Sequence, residues 1–259
     1  GGDRRSRGKR HGDPACAPHH SSSRTHRGAN FNEHERSWRT LAYANVTIRA
    51  VAERRVTQLP RGRHGLSREQ VVMSQRMRML DAMAQAAAEK GYVRTTVADV
   101  IKRAGVSRET FYQQFADKED CFLAAYETGA QLMLGAVAGA LGEPAGDPLE
   151  RVGRGLRAYL ETLAREPAIA RTALIEVYGA GERALALRVE QQARFADAVA
   201  GALGARTDAG RFACEAFVAA VSALVTNRVA QGRTEELPQL HGPLMDLLRR
   251  WWGEARAVA

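Results

Sequence analysis

The sequence predicts an all-α protein, and three observations carry that prediction. Segments rich in Ala, Leu and Arg, with few β-branched runs, fill the chain from about residue 67 onward; such residues lose little on entering a helix. Within those segments apolar positions recur at i, i+3, i+4 and i+7, and no stretch alternates apolar and polar as a half-buried strand would. Gly and Pro cut the chain into helix-length pieces with no repeat period. At 259 residues and 45% apolar content there is enough chain for one or two domains with a substantial core.

Residues 1–66 read as a disordered basic extension. The opening GGDRRSRGKRHGDPACAPHHSSSRTHRG is rich in Gly, Ser, Arg and His and poor in apolar residues. Leu41–Val56 is mildly amphipathic and suits a transient helix at most. Cys16, His19, His20 and His26 offer metal-ligand atoms, but nothing around them would orient a ligand set, so no metal is expected. Residues 1–70 carry 15 Lys and Arg against 6 Asp and Glu, whereas the rest of the chain balances at 23 of each. All of the net charge of +9 therefore sits in the arm, which favours an arm lying along a polyanion over a broadly basic globule. Arg61-Gly62-Arg63-His64 is its compact end. Arg61 and Arg63 are candidates for minor-groove or phosphate contact; a merely solubilising linker is the alternative.

Ser67 and Gln70 have capping-box spacing and open a long helix to about Lys90. Met73, Met77, Leu80, Ala84, Ala87 and Ala88 give its apolar stripe. Thr96 then serves as an N-cap with Asp99 three residues on, and Val97, Val100, Ile101 and Ala104 form one apolar stripe. Gly105 follows as a natural C′ residue, because a left-handed backbone costs Gly nothing sterically. Ser107 caps the next helix, with Val106 and Phe111 at the spacing of a hydrophobic staple.

That next helix, Ser107 to Phe115, reads at 100° per residue with Phe111 and Phe115 on one buried face. Glu109 and Gln113 fall nearly opposite, Thr110 and Tyr112 flank them, and Arg108 sits in the first turn. Arg108, Glu109 and Gln113 are therefore the candidates for base contacts, with Arg108 as the guanine reader. Thr96, Thr110, Tyr112, Gln114 and Lys118 are the candidates for phosphate contacts. An ordinary αα-hairpin in a bundle has the same outline, so geometry by itself leaves both readings open.

Asp117 caps a helix reaching about Leu141, stopped by Gly142-Glu143-Pro144. Further helices span about Pro148–Arg165, then a short one to Tyr178, then Glu182–Leu203 and Asp208–Ala230. Gly232 to Pro243 reads as a loop, and a last helix runs from about Pro243 to Ala255. Phe212, Ala216, Ala219, Ala220, Ala223 and Leu224 form a wide small-residue face on one late helix; Leu244, Leu247, Leu248 and Trp251 form a stripe on the last. Gly135 and Gly139 make a GxxxG that suits close packing of soluble helices. Met133, Tyr159, Leu163, Leu174, Tyr178 and Phe195 are candidate lining residues of a cavity for an apolar or amphipathic small molecule, with plain core as the alternative.

Several function classes are disfavoured. No HExxH, GxSxG, Walker or GxGxxG motif occurs, and beyond the low-complexity tail of residues 1–60 only His64 and His241 could serve a catalytic triad, so neither an enzyme nor a bound cofactor is expected. Cys16, Cys121 and Cys214 are odd in number and far apart, which fits a reducing, cytoplasmic setting rather than a disulfide framework. No signal peptide is visible. The longest apolar runs, Leu132–Leu141 and Ala216–Val225, fall short of the about 20 residues needed to span a bilayer.

The run V-A-D-V-I-x-x-A-G-V-S-x-x-T-F-Y-x-x-F-x-x-K-E, residues 97 to 119, resembles the DNA-binding signature of TetR-family (tetracycline-repressor-like) regulators. With the preceding helix and its terminal Gly91-Tyr92, the resemblance covers roughly residues 67 to 127; beyond that it is one of architecture. It implies an N-terminal helix-turn-helix domain over 67–120 and a C-terminal helical ligand-binding and dimerisation domain over 121–259. It also implies a homodimer in which the last two long helices pair with their mates, a pseudo-palindromic duplex operator, and repression relieved by a small-molecule ligand. Many family members carry an aromatic or His at the positions of Gln113 and Gln114, so base preference does not transfer. A small-molecule-binding helical module with a vestigial reading domain is the competing reading.

Overall fold

The computed structural model describes residues 1–2, 67–141 and 146–257, and among them every regular element is a helix. The arm candidates Arg61 and Arg63, the Cys16 and histidine cluster and the Leu41–Val56 segment lie outside the described residues. The helices are α1 (Arg68–Lys90), α2 (Val97–Ala104), α3 (Arg108–Tyr112), α4 (Lys118–Leu141), α5 (Pro148–Arg165), α6 (Pro167–Leu174), α7 (Glu182–Leu203), α8 (Asp208–Ala230) and α9 (His241–Ala257). Two 3-10 turns, Glu176–Gly179 and Thr234–Leu240, link α6 to α7 and α8 to α9.

Local chemistry starts each of the first helices. Ser67 caps α1 and Thr96 caps α2, each in a reciprocal capping box with Gln70 and Asp99. Gly105 takes φ 63° and ψ 43°, the left-handed geometry that closes α2 and turns the chain into α3. The hydroxyl of Ser107 accepts from the Thr110 amide at 3.0 Å. Asp117 does the same for α4, accepting from the Asp120 amide at 2.8 Å.

Two cores result. The first joins α1 (Met79, Leu80, Met83, Ala87), α2 (Val100, Ala104) and α3 (Phe111) to Phe115, the opening half of α4 (Cys121 to Ala130) and Val177, Ala180 and Ala184. The second lies among α5, α6, α8 and α9, with Met133 from α4 and Leu203 from α7. Helix α4 therefore belongs to both, its first half under the reading head and its second half in the body.

Several expectations are corrected. In α1 the buried face is centred on Met79, Leu80 and Met83, while Met73 is 56% exposed because the first turns of α1 project beyond the core. The third helix closes early, at Tyr112, since Gln113 and Gln114 form a turn rather than helix. The segment 234–240 winds into a 3-10 turn around Pro238, and α9 begins at His241, two residues before Pro243, whose missing N–H is harmless in a first turn. A Cβ on Gly139 would meet nothing within 4 Å. The close approach to α4 is made instead by Gly155 of α5, where a Cβ would lie 3.2 Å from Val137 and 3.3 Å from Leu141. Helices α4 and α8 are long and apolar enough to cross a membrane by length and composition, at 24 and 23 residues. Both pack inside the protein, α4 on α1 and α5, and α8 on α7 and α9.

The apolar stripe of α9 is core as well, with Leu244 and Leu248 buried inside the same chain. On α7 and α8 several large apolar side chains are exposed: Leu185 and Val189 on one, Phe212 and Leu224 on the other, with Val189 and Phe212 each 70% exposed.

Two expected outcomes follow from this packing. Gly155→Val drives a branched side chain into Val137 and Leu141 and is expected to cost about 1–3 kcal/mol, read as a lower urea midpoint at unchanged slope. The Cys121 and Cys214 thiols are buried and unpaired, and burial pushes them up to about 12 and about 11. They are expected to resist a thiol reagent at pH 8 in the native protein and to react once it is unfolded.

Candidate nucleic-acid interface and cavity

The outer face of α3 is set by what its inner face must do. Phe111 is 0% exposed and Phe115 2%, their rings 5.5 Å apart between α1, α2 and α4. With both phenyls held inward, Arg108, Glu109 and Gln113 stand exposed on the opposite side. Their contacts are with one another and with Tyr112: the Arg108 guanidinium lies 5.5 Å over the Tyr112 ring, and the Gln113 amide donates to Glu109 Oε1 at 3.3 Å. Tyr112 is exposed and Thr110 half-buried, its hydroxyl 2.9 Å from Ser107 Oγ.

Three candidate phosphate residues are held more firmly than their sequence positions imply. Thr96 is exposed but is committed to capping α2, its hydroxyl donating to Asp99 Oδ2 at 2.6 Å. That bond, the Thr96 amide and the Lys90 ammonium hold the Asp99 carboxyl well below the usual carboxylate range; the Lys90 ammonium is the largest cause. Gln114 turns back toward α1 and donates to the Val72 carbonyl at 3.3 Å. Lys118 donates to the Tyr92 carbonyl at 3.1 Å with its ammonium 4.1 Å from the centre of the Tyr92 ring.

Two arginines of α1 that sequence reasoning passed over clamp the reading helices. Arg78 donates to the Ala104 carbonyl at 2.6 Å, closing the end of α2. Arg76 donates to the Gln114 carbonyl at 3.2 Å and stacks 4.5 Å over Phe115. The second bond ties the Gln114 carbonyl, two residues past the end of α3, to α1. Their separations of 26 and 38 residues from these acceptors leave no local signal of the contacts.

A further contact joins head and body. Glu176 is buried and accepts from the Tyr92 amide at 2.8 Å through one oxygen, while the other lies 3.2 Å from Arg171 Nε. A Cβ on Gly91, whose φ is 86°, would lie 3.4 Å from Oε2 of the same carboxylate. The Thr172 hydroxyl donates to the Ala84 carbonyl at 3.1 Å beside it.

A cavity that opens to solvent lies among α4, α5, α6, α7 and α8 of the body. It leaves about 120 Å³ for the centres of water-sized molecules, roughly ten times what one water requires. Met133, Tyr159, Leu163, Leu174 and Phe195 line it; Tyr178 does not, being 56% exposed with its hydroxyl accepting from Arg188 at 2.9 Å. The remaining wall is mostly aliphatic, with Tyr126, Arg188, Gln191, Gln192 and Ser222 as its other polar members. Burial pushes the Tyr159 phenol up to about 12 and raises that of Tyr126, so both stay protonated donors at neutral pH. Among the described residues no group of three or more His, Cys, Asp or Glu is placed to hold a metal ion.

Comparison with known proteins supports this description. Residues 79–125 match the family model for bacterial regulatory proteins of the tetR family, which bears out for the reading head the resemblance read at residues 97–119. No functionally curated protein matches the chain by sequence. Among solved structures, the fatty acid degradation regulator FadR from Bacillus halodurans is similar at 22% identity and TM-score 0.61, over 67% of this chain and 94% of that one. FadR from Bacillus subtilis, in complex with stearoyl-CoA, is similar at 21% identity and TM-score 0.58, over 66% and 96%. A TetR-like transcriptional regulator from Rhodococcus sp. RHA1 aligns at 21% identity and TM-score 0.57, over 71% and 97%. At these identities the likeness is one of fold: a helix-turn-helix head on a helical body.

Glu176→Ala is expected to lower stability by about 1–3 kcal/mol, because it leaves the buried Tyr92 amide without an acceptor. The thermal midpoint of the full chain measures it; an unchanged midpoint would mean the contact contributes nothing.

Proposed function

We propose that this chain, with its TetR-type reading head, is a sequence-specific DNA-binding transcription regulator, acting in the cytoplasm as a repressor that a small molecule releases from its operator. The single observation that carries the reading is the burial of Phe111 and Phe115, which turns Arg108, Glu109 and Gln113 outward on a short helix. A helix so presented suits the major groove, where Arg108 pairs with a guanine edge and Glu109 and Gln113 meet neighbouring bases. Thr110 and Tyr112 on that helix, with Thr96, Gln114 and Lys118 beside it, supply phosphate contacts, and Arg61 and Arg63 of the basic arm add charge along the backbone.

The exposed apolar side chains of α7 and α8 suit a second copy of the chain, giving a two-fold dimer and hence a pseudo-palindromic site. The cavity supports the ligand half of the proposal. Its lining is that of a site for an apolar or amphipathic molecule, and the stearoyl-CoA of the Bacillus subtilis relative is a ligand of that general kind. Release requires that the ligand prefer one spacing of the two reading heads over the other. The chemistry of the head and cavity is binding chemistry, and regulation rather than catalysis is the activity proposed.

Selection of bound duplexes from a random pool with the full chain is the direct test. A two-fold-symmetric consensus is expected, and no enrichment at low ionic strength would sink the reading. Enrichment of no sequence by a chain that still binds amphiphiles would instead identify a ligand-binding module with a vestigial head. On the selected site, Arg108→Ala is expected to cost about 1–3 kcal/mol and to relax one base position. Lys118→Ala is expected to weaken specific and non-specific binding alike and to reduce the log–log salt slope by about 1.

A further inference from the structure

The cavity's polar groups are not scattered; they gather at one end. Along α7 the lining runs from Arg188, Gln191 and Gln192 to Ala198, Val199 and Ala202, a distance of roughly 20 Å at the helical rise. Along α4 it runs from Tyr126 to Val137 and Leu141. The Arg188 end carries the guanidinium, the carboxamides and the Tyr126 phenol, and the other end is aliphatic.

Among the described residues Arg188 is the only charged member of the lining. Its partners are all neutral: the Tyr178 hydroxyl at 2.9 Å, the Ser222 hydroxyl at 3.1 Å and the Ala173 carbonyl at 3.4 Å. Beside it, Gln191 is 8% exposed and its side-chain oxygen has no hydrogen-bond partner. A cation facing a low-dielectric chamber without a carboxylate in its wall favours an incoming anion. The carboxamide of Gln191, one helical turn away, can donate from its Nε2 to the same head group once the side chain turns its unpartnered oxygen aside.

We infer that the cavity recognises an amphipathic carboxylate, its hydrocarbon chain along the aliphatic wall toward Val199 and Leu141 and its carboxylate on Arg188 beside Gln191. The inference rests on the cavity being the ligand site and adds the class of ligand. A hydrocarbon chain alone has no use for Arg188, and a cation would be repelled by it. A free carboxylate and an acyl thioester of a larger anionic carrier share the acyl chain but differ in where the charge falls. The thioester keeps its charge beyond the cavity mouth, whereas the free acid places it at Arg188. Arg188 also holds Tyr178, two residues from Glu176, so a carboxylate drawing on the guanidinium competes with a bond to the segment that grips the Tyr92 amide.

Calorimetric titration of the full chain with decanoate, 1-decanol and decanoyl-CoA tests this, with Arg188→Met and Arg188→Lys as variants. Decanoate is expected to bind at least tenfold more tightly than decanol. Arg188→Met is expected to abolish that preference while keeping decanol affinity, which also shows that the variant is folded, and Arg188→Lys is expected to restore part of it. Equal affinities for the acid and the alcohol in the natural protein, or a preference that survives Arg188→Met, would overturn the inference and leave the cavity as a purely apolar site. Tighter binding of decanoyl-CoA that ignores Arg188→Met would overturn it in favour of charge recognition outside the cavity. Failure of all three probes to bind would remove the cavity as an amphiphile site altogether.

Discussion

The arrangement of the reading head depends on two phenyl rings being kept from water. Phe111 and Phe115 sit four residues apart, so they share a face, and α1, α2 and α4 close around that face. Burying each ring gains on the order of 2–3 kcal/mol, more than a five-residue helix could supply from its own hydrogen bonds. The third helix therefore exists because its rings are packed, and the direction of Arg108, Glu109 and Gln113 is a by-product of that packing. The Arg76 and Arg78 bonds support the same arrangement, tying carbonyls at the end of α2 and just past α3 to α1.

The head is joined to the body through shared parts rather than a linker. Helix α4 begins in the first core and ends against the cavity. Ala173 and Leu174 line the cavity, and the carboxylate of Glu176, two residues on, holds the Tyr92 amide while Lys118 holds the Tyr92 carbonyl. Lining, inter-domain contact and candidate phosphate residue thus fall within one continuous run of bonded groups. Such continuity is a physical route for coupling only insofar as its members have two arrangements that a ligand distinguishes.

The cavity shows how far apolar patterning reaches. Met133, Tyr159, Leu163, Leu174 and Phe195 were visible as inward-facing residues, and Tyr178 had the same character in the sequence but ended on the surface beneath Arg188. Arg188 itself, surrounded in sequence by Leu187 and Val189, reads as an ordinary surface arginine of an amphipathic helix. Only the approach of α6 and α8 gives it the Ala173 carbonyl and the Ser222 hydroxyl as partners. The same holds for the exposed apolar side chains. Phe212 reads in the sequence as part of an apolar helix face, and only the packing of the body shows that it and Val189 are left exposed.

Signals confined to a turn or two were legible in the chain itself. The capping boxes at Ser67 and Thr96, the left-handed Gly105, the Ser107 cap and the paired phenylalanines each rest on interactions within about four residues, so residue identity settles them. What required the folded chain were contacts between residues far apart: Arg76 to Gln114, Glu176 to Tyr92, Gly155 against α4, and the single cation at one end of an aliphatic chamber. Those depend on how helices cross. Crossing is decided by the fit of whole faces, and a one-dimensional pattern can say which face turns inward but not which neighbour it will meet.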